Sequence, residues 1–273
     1  MTYRSNYIWI NGLRTHYLEA GDSAKETLIM IHDGGFGGSA EFSWSLNIDA
    51  LASRFHVYCP DVTGFGKTEK VFNFEDPNGF RMRHLRQWLN VLGLERSHFA
   101  GNSWGANLLL GLAAQHSDMF KMEKIIVVSP GYGSNAEVRR MTTAYVPDRE
   151  NMRNLLKIFF YDEKWHNDPY LSMRYNATTQ PGAWEAVAAA RFGPPGNEKP
   201  FKGVAAATDY GAIRNKVLLV GGEFDELAST DVVKGIHEKI KDSEIHIFPR
   251  AKHCAQIERS DEFNQLALKF LEA

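Results

Sequence analysis

The stretch GNSWGA, Gly101 to Ala106, sets a serine between two glycines at one-residue spacing. A serine hydroxyl is a poor nucleophile at neutral pH; it needs a base, and the base needs a group to orient it. His253 in RAKHCAQIE and Asp225 in GGEFDE each follow directly on an apolar run, EIHIFP and KVLLV respectively. The chain order serine, acid, histidine suits a nucleophile carried on a strand-to-helix elbow, with its partners at the carboxyl ends of later strands. Glu223 is the alternative orienting acid. His246, inside an apolar run, reads as a packed or exposed ring, and Asp61 in DVTGFG as a residue that fixes its own loop.

Acyl transfer also needs donors aimed at the developing oxyanion. The backbone N–H of Trp104, next after the nucleophile at the start of a helix, supplies one. The other is expected from the loop His32-Asp33-Gly34-Gly35, where glycines let the backbone approach a substrate. Gly34 is favoured, with Gly35 and Phe36 beside it. The alternative for this loop is a glycine-rich turn and nothing more.

These residues must be positioned by something, and the chain shows what. YIWI and THYLEA, joined by Asn11-Gly12, read as a hairpin with a tight turn. Six continuous apolar runs follow: residues 27–32, 55–60, 97–101, 124–130, 216–222 and 244–249, each ending in turn residues. Runs of this kind suit strands buried on both faces. Leu85, Trp88, Leu89 and Leu92 form a helical stripe before the elbow, and NLLLGLAAQ after it is apolar nearly all round. Ser260 is placed to cap a final helix whose Phe263, Leu266, Ala267 and Phe270 face inward. The alternation predicts an α/β fold with a mostly parallel central sheet flanked by helices.

Residues 131 to 208 break the alternation. They carry Pro147, Pro169, Pro181, Pro194, Pro195 and Pro200, with Phe159, Phe160, Tyr161, Trp165, Tyr170, Tyr175 and Trp184. The expectation is a helical lid inserted after the sixth strand, dividing the core into 1–130 and 209–273. The alternative is a packing layer with no role in binding.

Composition bounds the rest. With 273 residues, 44% hydrophobic and 23% charged, the chain is ordinary for a soluble globular protein. A net charge of -2 offers no electrostatic case for nucleic acid or an anionic membrane as partner. No apolar run reaches the length of a membrane span, and the opening MTYRSNYIWINGLR lacks an apolar signal segment. The two cysteines, Cys59 and Cys254, show neither a disulfide framework nor metal-ligand spacing. A cytoplasmic protein acting on a small molecule, without metal or organic cofactor, is expected.

In HDGGFGG, DVTGFGKTE, GNSWGA, FFYDEKWHNDPYLSMRYNA and KHCAQIERSDEFN, the chain resembles the α/β-hydrolase superfamily, and within it the meta-cleavage product hydrolases. The likeness runs over most of the chain. It implies the α/β-hydrolase fold and serine-dependent hydrolysis of a carbon–carbon bond in a 2-hydroxy-6-oxo-2,4-dienoate from aromatic ring fission. It also implies that Arg174 grips the substrate carboxylate, that Asn102 offers its amide to a substrate oxygen, and that the chain forms a homodimer or larger assembly. A planar guanidinium is suited to that bidentate grip, although Arg174 has a salt bridge to Asp162 or Glu163 as its plainer alternative. Three positions depart from the family's pattern. Cys254 stands at the substrate-binding position after the histidine, where tryptophan is common. The elbow reads SWGA rather than SMGG or SFGG, and Ser43 replaces an asparagine that often contacts substrate. An esterase or lactonase would keep the triad without needing Arg174, and a small-molecule receptor would keep the fold without turnover.

Overall fold

The strands pair in one eight-stranded sheet of order β1-β2-β4-β3-β5-β6-β7-β8. They span Arg4–Ile10 (β1), Leu13–Ala20 (β2), Thr27–Ile31 (β3), His56–Pro60 (β4), Arg96–Asn102 (β5), Lys121–Val128 (β6), Lys216–Gly222 (β7) and Ser243–Phe248 (β8). The computed structural model describes residues 3–133, 136–192 and 208–273. β1 and β2 form the expected hairpin, with Asn11 at φ 50° and Gly12 at φ 80°. β2 runs antiparallel to β4, and every pairing from β4 through β8 is parallel.

The apolar runs are continuous because both faces of the sheet are covered. Ile29, Ile31, Ile125, Val127, Val217 and Leu219 face one core, which holds Trp88, Leu109 and Leu112 from two helices. Leu28, Met30, Ile126, Val128, Leu218 and Val220 face the other, with Trp44, Phe263 and Phe270. The stripe before the elbow lies on the helix Pro77–Leu92, which opens with the Asp76 side chain accepting from Gly79 N and closes on Gly93 at φ 71°. The final helix differs from expectation at its start. Ser260 is its first residue, Arg259 holds the cap position, and neither makes a side-chain cap bond. The short helix Ala255–Glu258 runs straight into it, and the Phe263 amide donates to the Arg259 carbonyl at 2.8 Å.

Between β6 and β7 the described residues form helices Ala136–Thr143, Arg149–Phe159, Tyr170–Thr178 and Ala183–Ala188, with three short 3-10 segments and no strand. Residues 193–207, with Pro194, Pro195 and Pro200, lie outside the described residues. The helices are joined to the rest of the chain by a third cluster. In it, Phe159, Phe160, Tyr170 and Leu171 pack with Phe36, Phe42, Cys254 and Ile257 from loops at the sheet's carboxyl edge.

Two devices hold that edge in shape. The first is steric. β5 lies between β3 and β6, and the helix Trp104–Gln115 turns back against it. A Cβ on Gly101 would come 2.6 Å from the Gly105 carbonyl carbon, and one on Gly105 would come 2.6 Å from the Ile31 oxygen. Both positions must be glycine because backbone occupies the space a side chain would need. The second is electrostatic. Buried Asp61 binds His16 Nδ1 at 2.6 Å and accepts from the amides of Ala40 and Lys67, each at 2.7 Å. Burial alone would raise its pKa, but the His16 bond and the amides outweigh it and hold the carboxyl below the usual range.

Gly105→Ala is expected to cost about 1–3 kcal/mol in denaturant unfolding, since the clash is with strand backbone; a loss below about 0.5 kcal/mol would show that β3 yields freely. Asp61 binds its extra proton more readily in the unfolded chain, whose carboxyl has a pKa of about 3.9. Its stabilisation is therefore complete above that value and lost as pH falls through the lower folded value. Denaturation followed from about pH 6 to 3 should fall less steeply for Asp61→Asn, and an unchanged slope would place the acid sensitivity elsewhere.

Candidate active site

Ser103 ends β5 in a conformation that L-residues rarely adopt, φ 56° and ψ -114°. Its amide donates to the Val128 carbonyl at 2.8 Å, and its carbonyl accepts from Asn107 N at 3.0 Å, so the strained residue is anchored from both sides. The hydroxyl is thereby turned out of the sheet at the head of a helix.

The loop after β8 brings His253 Nε2 to 2.8 Å from Ser103 Oγ. On its other side, His253 Nδ1 lies 2.9 Å from Asp225 Oδ2 and 3.1 Å from Oδ1. A carboxylate only accepts, so Nδ1 carries the proton and Nε2 is left to accept from the serine hydroxyl. Asp225 Oδ1 also accepts from the amides of Leu227 at 2.8 Å and Ala228 at 3.0 Å. Burial pushes its pKa up, yet His253 and these amides together hold it below the ordinary value, and the carboxyl stays ionised. Glu223, the alternative acid, instead accepts from the Arg250 amide at 3.1 Å.

The loop after β3 faces this group. His32 donates from Nδ1 to the Asp33 carbonyl at 2.6 Å and accepts at Nε2 from Val62 N at 3.0 Å. Its complete burial lowers its pKa, so the ring is neutral and serves as a spacer between two loops. A Cβ on Gly34 would fall 2.7 Å from Trp104 Cβ, so the two residues expected to supply the oxyanion donors lie in contact. Trp104 is the first residue of its helix, so its N–H has no acceptor within the helix.

A cavity of about 610 Å³ opens over these residues, lined among others by Gly34, Gly35, Phe36, Ser103, Trp104 and His253. Phe159, Val187 and Ala190 line it from the helices between β6 and β7. A larger groove of about 900 Å³ lies at the amino ends of β3, β5 and β6, away from the nucleophile.

Three expected substrate contacts are placed differently. Asn102 is fully buried, and its amide nitrogen donates to the carbonyls of His253 at 3.3 Å and Val128 at 3.4 Å. It braces the histidine loop from within the protein. Cys254 is packed among aromatic rings, and burial pushes its thiol well above the usual range, so it is an inert filler. Arg174 is wholly buried and pairs with neither Asp162 nor Glu163. Its Nη2 donates to Asp33 Oδ1 at 2.7 Å, its Nη1 to Asp33 Oδ2 at 3.2 Å, and its Nε to the Phe36 carbonyl at 2.8 Å. Ser43 Oγ donates to the same carboxylate at 3.1 Å.

Two residues carry more of the site than their sequence setting shows. Phe159 stacks on His253 at 5.7 Å and lies 4.7 Å from the Arg174 guanidinium on its other flank. Asp33 had its only signal in being a charged residue inside a glycine loop, with its partner 141 positions away.

Known proteins sort with this geometry. The "Alpha/beta hydrolase family" matches residues 28–266. A 2-hydroxy-6-oxononadienedioate/2-hydroxy-6-oxononatrienedioate hydrolase of Paraburkholderia phymatum is 28% identical over 95% of this chain and 91% of its own. A 2-hydroxymuconate semialdehyde hydrolase of Pseudomonas sp. is 29% identical, with 95% and 91% covered. Among solved structures, a meta-cleavage product hydrolase from Pseudomonas fluorescens IP01 superposes with a TM-score of 0.86 at 29% identity, covering 98% of this chain and 97% of that one. A match that takes in both the elbow strand and the histidine loop leaves one assignment: the chain belongs to the alpha/beta hydrolase family.

Proposed function

We propose that the chain is a serine-dependent hydrolase that cleaves a carbon–carbon bond in a ring-fission product of the 2-hydroxy-6-oxo-2,4-dienoate class. The observation that carries the reading is His253 held between Ser103 Oγ at 2.8 Å and the Asp225 carboxylate at 2.9 Å, in a cavity that Gly34 and Trp104 also line. The names of the relatives supply the substrate class.

In this reading Ser103, His253 and Asp225 are catalytic. His253 first moves a proton from the substrate's enol oxygen to carbon 5, giving the keto form. Ser103, or a water that His253 deprotonates, then adds to the carbon-6 carbonyl. The Gly34 and Trp104 N–H groups hold the oxyanion. Collapse breaks the bond between carbons 5 and 6, and the departing carbanion is delocalised as a dienolate that takes up a proton. Where Ser103 was the nucleophile, the acyl-serine left behind is then hydrolysed by a water that His253 deprotonates; by either route one water is consumed, and a carboxylic acid and a 2-hydroxydienoate leave. Residues 131–208 act as a lid over a core made of 1–130 and 209–273; its apolar wall excludes water and strengthens the electrostatics beneath. A cytoplasmic location and a homo-oligomeric assembly belong to the same reading, checked by cell fractionation and light scattering.

A second reading, a carboxylesterase or lactonase, has one observation in its favour: Arg174 already holds a carboxylate, that of Asp33. A panel of ring-fission dienolates, followed by loss of their visible absorbance, separates the two. Turnover of dienolates with no more than slow ester hydrolysis supports carbon–carbon cleavage, and the reverse pattern supports the esterase.

Ser103→Ala should lower kcat by at least about 10³-fold, and Asp225→Asn by about 10⁴-fold through loss of the correct histidine tautomer. Thermal unfolding should still show both variants folded. Retention of more than a tenth of the wild-type rate in Ser103→Ala would remove the nucleophile from the scheme.

A further inference from the structure

The Asp33–Arg174 pair is closed on itself. All three kinds of guanidinium nitrogen are engaged, Nη1 and Nη2 by the Asp33 carboxylate and Nε by the Phe36 carbonyl. The flat faces are covered by Phe42 at 4.3 Å and Phe159 at 4.7 Å. The carboxylate is equally committed. Oδ1 accepts from Arg174 and from Gly35 N at 2.9 Å, and Oδ2 accepts from Arg174 and from Ser43 Oγ at 3.1 Å. A carboxylate offers about four acceptor positions, and here four donors meet them. Asp33, not Arg174, forms the cavity wall beside Gly34, and Arg174 has no exposed surface.

A ligand carboxylate entering this end of the cavity would therefore meet a carboxylate first. To reach the guanidinium it would have to displace Asp33 and leave that charge buried without a partner, which is strongly unfavourable. An uncharged group meets no such opposition.

We propose that Asp33 is a specificity-determining residue: it occupies Arg174 in place of a substrate's carboxylate, so the subsite beside Gly34 takes an uncharged polar head group such as an ester or amide. The inference rests on the serine-hydrolase reading above and narrows its substrate, from the free dienoate acid to a neutral derivative of the same carbon skeleton. Burial works against the Asp33 charge, but the Arg174 charge and bonds and the Gly35 amide prevail and keep the carboxyl below its ordinary pKa. Its negative charge is thus present at any pH where the chain is assayed.

The test compares matched substrates differing only in charge. For the wild-type protein, kcat/KM is measured on a 2-hydroxy-6-oxo-6-phenyl dienoate and on its methyl ester at carbon 1. A second pair is methyl p-nitrophenyl succinate and p-nitrophenyl hemisuccinate. The neutral member should be favoured by about tenfold or more in both pairs, mainly through KM, since like-charge juxtaposition acts on binding. Asp33→Asn keeps the shape and frees the Arg174 charge; it should lower KM for the acids and reverse the preference. A wild-type preference for the free acids would overturn the proposal. So would an Asp33→Asn variant, shown folded by circular dichroism, whose acid-to-ester ratio matches wild type. If Asp33→Asn does not fold, the wild-type ratios alone decide. Failure to cleave either dienoate while the p-nitrophenyl pair still shows the neutral preference would sink the carbon–carbon reading and leave Asp33 standing.

Discussion

β5 ends in the most crowded part of the sheet, between β3 and β6, and the chain must reverse there into the helix Trp104–Gln115. With backbone pressed against backbone at Gly101 and Gly105, the residue between them has one way to turn, and Ser103 takes it at φ 56°. Such a conformation costs about 1–3 kcal/mol and persists only where the surroundings over-determine it. Here they do: the Val128 carbonyl holds the Ser103 amide, and the central strands are buried on both faces. Every other part of the site refers to where that hydroxyl ends up. The loops after β3, β7 and β8 each deliver one group to it, because the carboxyl ends of parallel strands open on the same side.

Three buried aspartates show how charge is handled around this point. Asp61 is paired with His16 and two amides, and Asp33 with Arg174, Ser43 and an amide. The Asp33 unit is closed, whereas in the Asp61 unit the second His16 nitrogen, Nε2, lies 2.8 Å from Ser5 Oγ at the β1 edge of the sheet. Asp225 is satisfied in the same way by His253 and two amides, but its imidazole keeps one nitrogen facing the serine. Of the three, only this last unit presents its histidine and serine to the cavity lined by Gly34 and Trp104. Removing one partner from any of them would leave a charge without compensation, which is far costlier than the pair itself is stabilising.

The helices between β6 and β7 contribute through aromatic contact more than through charge. Phe159 is the link, in contact with both the His253 ring and the Arg174 guanidinium, so the position of this helix and the setting of the base are tied together. Asn102 adds a second tie by holding the His253 carbonyl from below. A well-braced imidazole beside an apolar wall is the environment in which a general base is most effective.

Much of this was legible in the residues alone. Period and composition identify the strands, because continuous runs such as TLIMIH arise only where both faces are covered. Turn chemistry identifies the hairpin at Asn11-Gly12, and the order of Ser103, Asp225 and His253 follows from where catalytic groups must hang on a parallel sheet. These features are local: each depends on neighbours a few positions away. The partners of Arg174, Asn102 and Cys254 are not local. Nothing near SMRYNA shows that its arginine faces Asp33, nor that Asn102 turns away from the cavity while Ser103 turns into it. Strand identity and chain order belong to the sequence by itself. Which charge neutralises which, and which side chains reach the cavity, was decided only when distant loops met at one edge of the sheet, because burial forces every buried charge to find a partner wherever the fold supplies one.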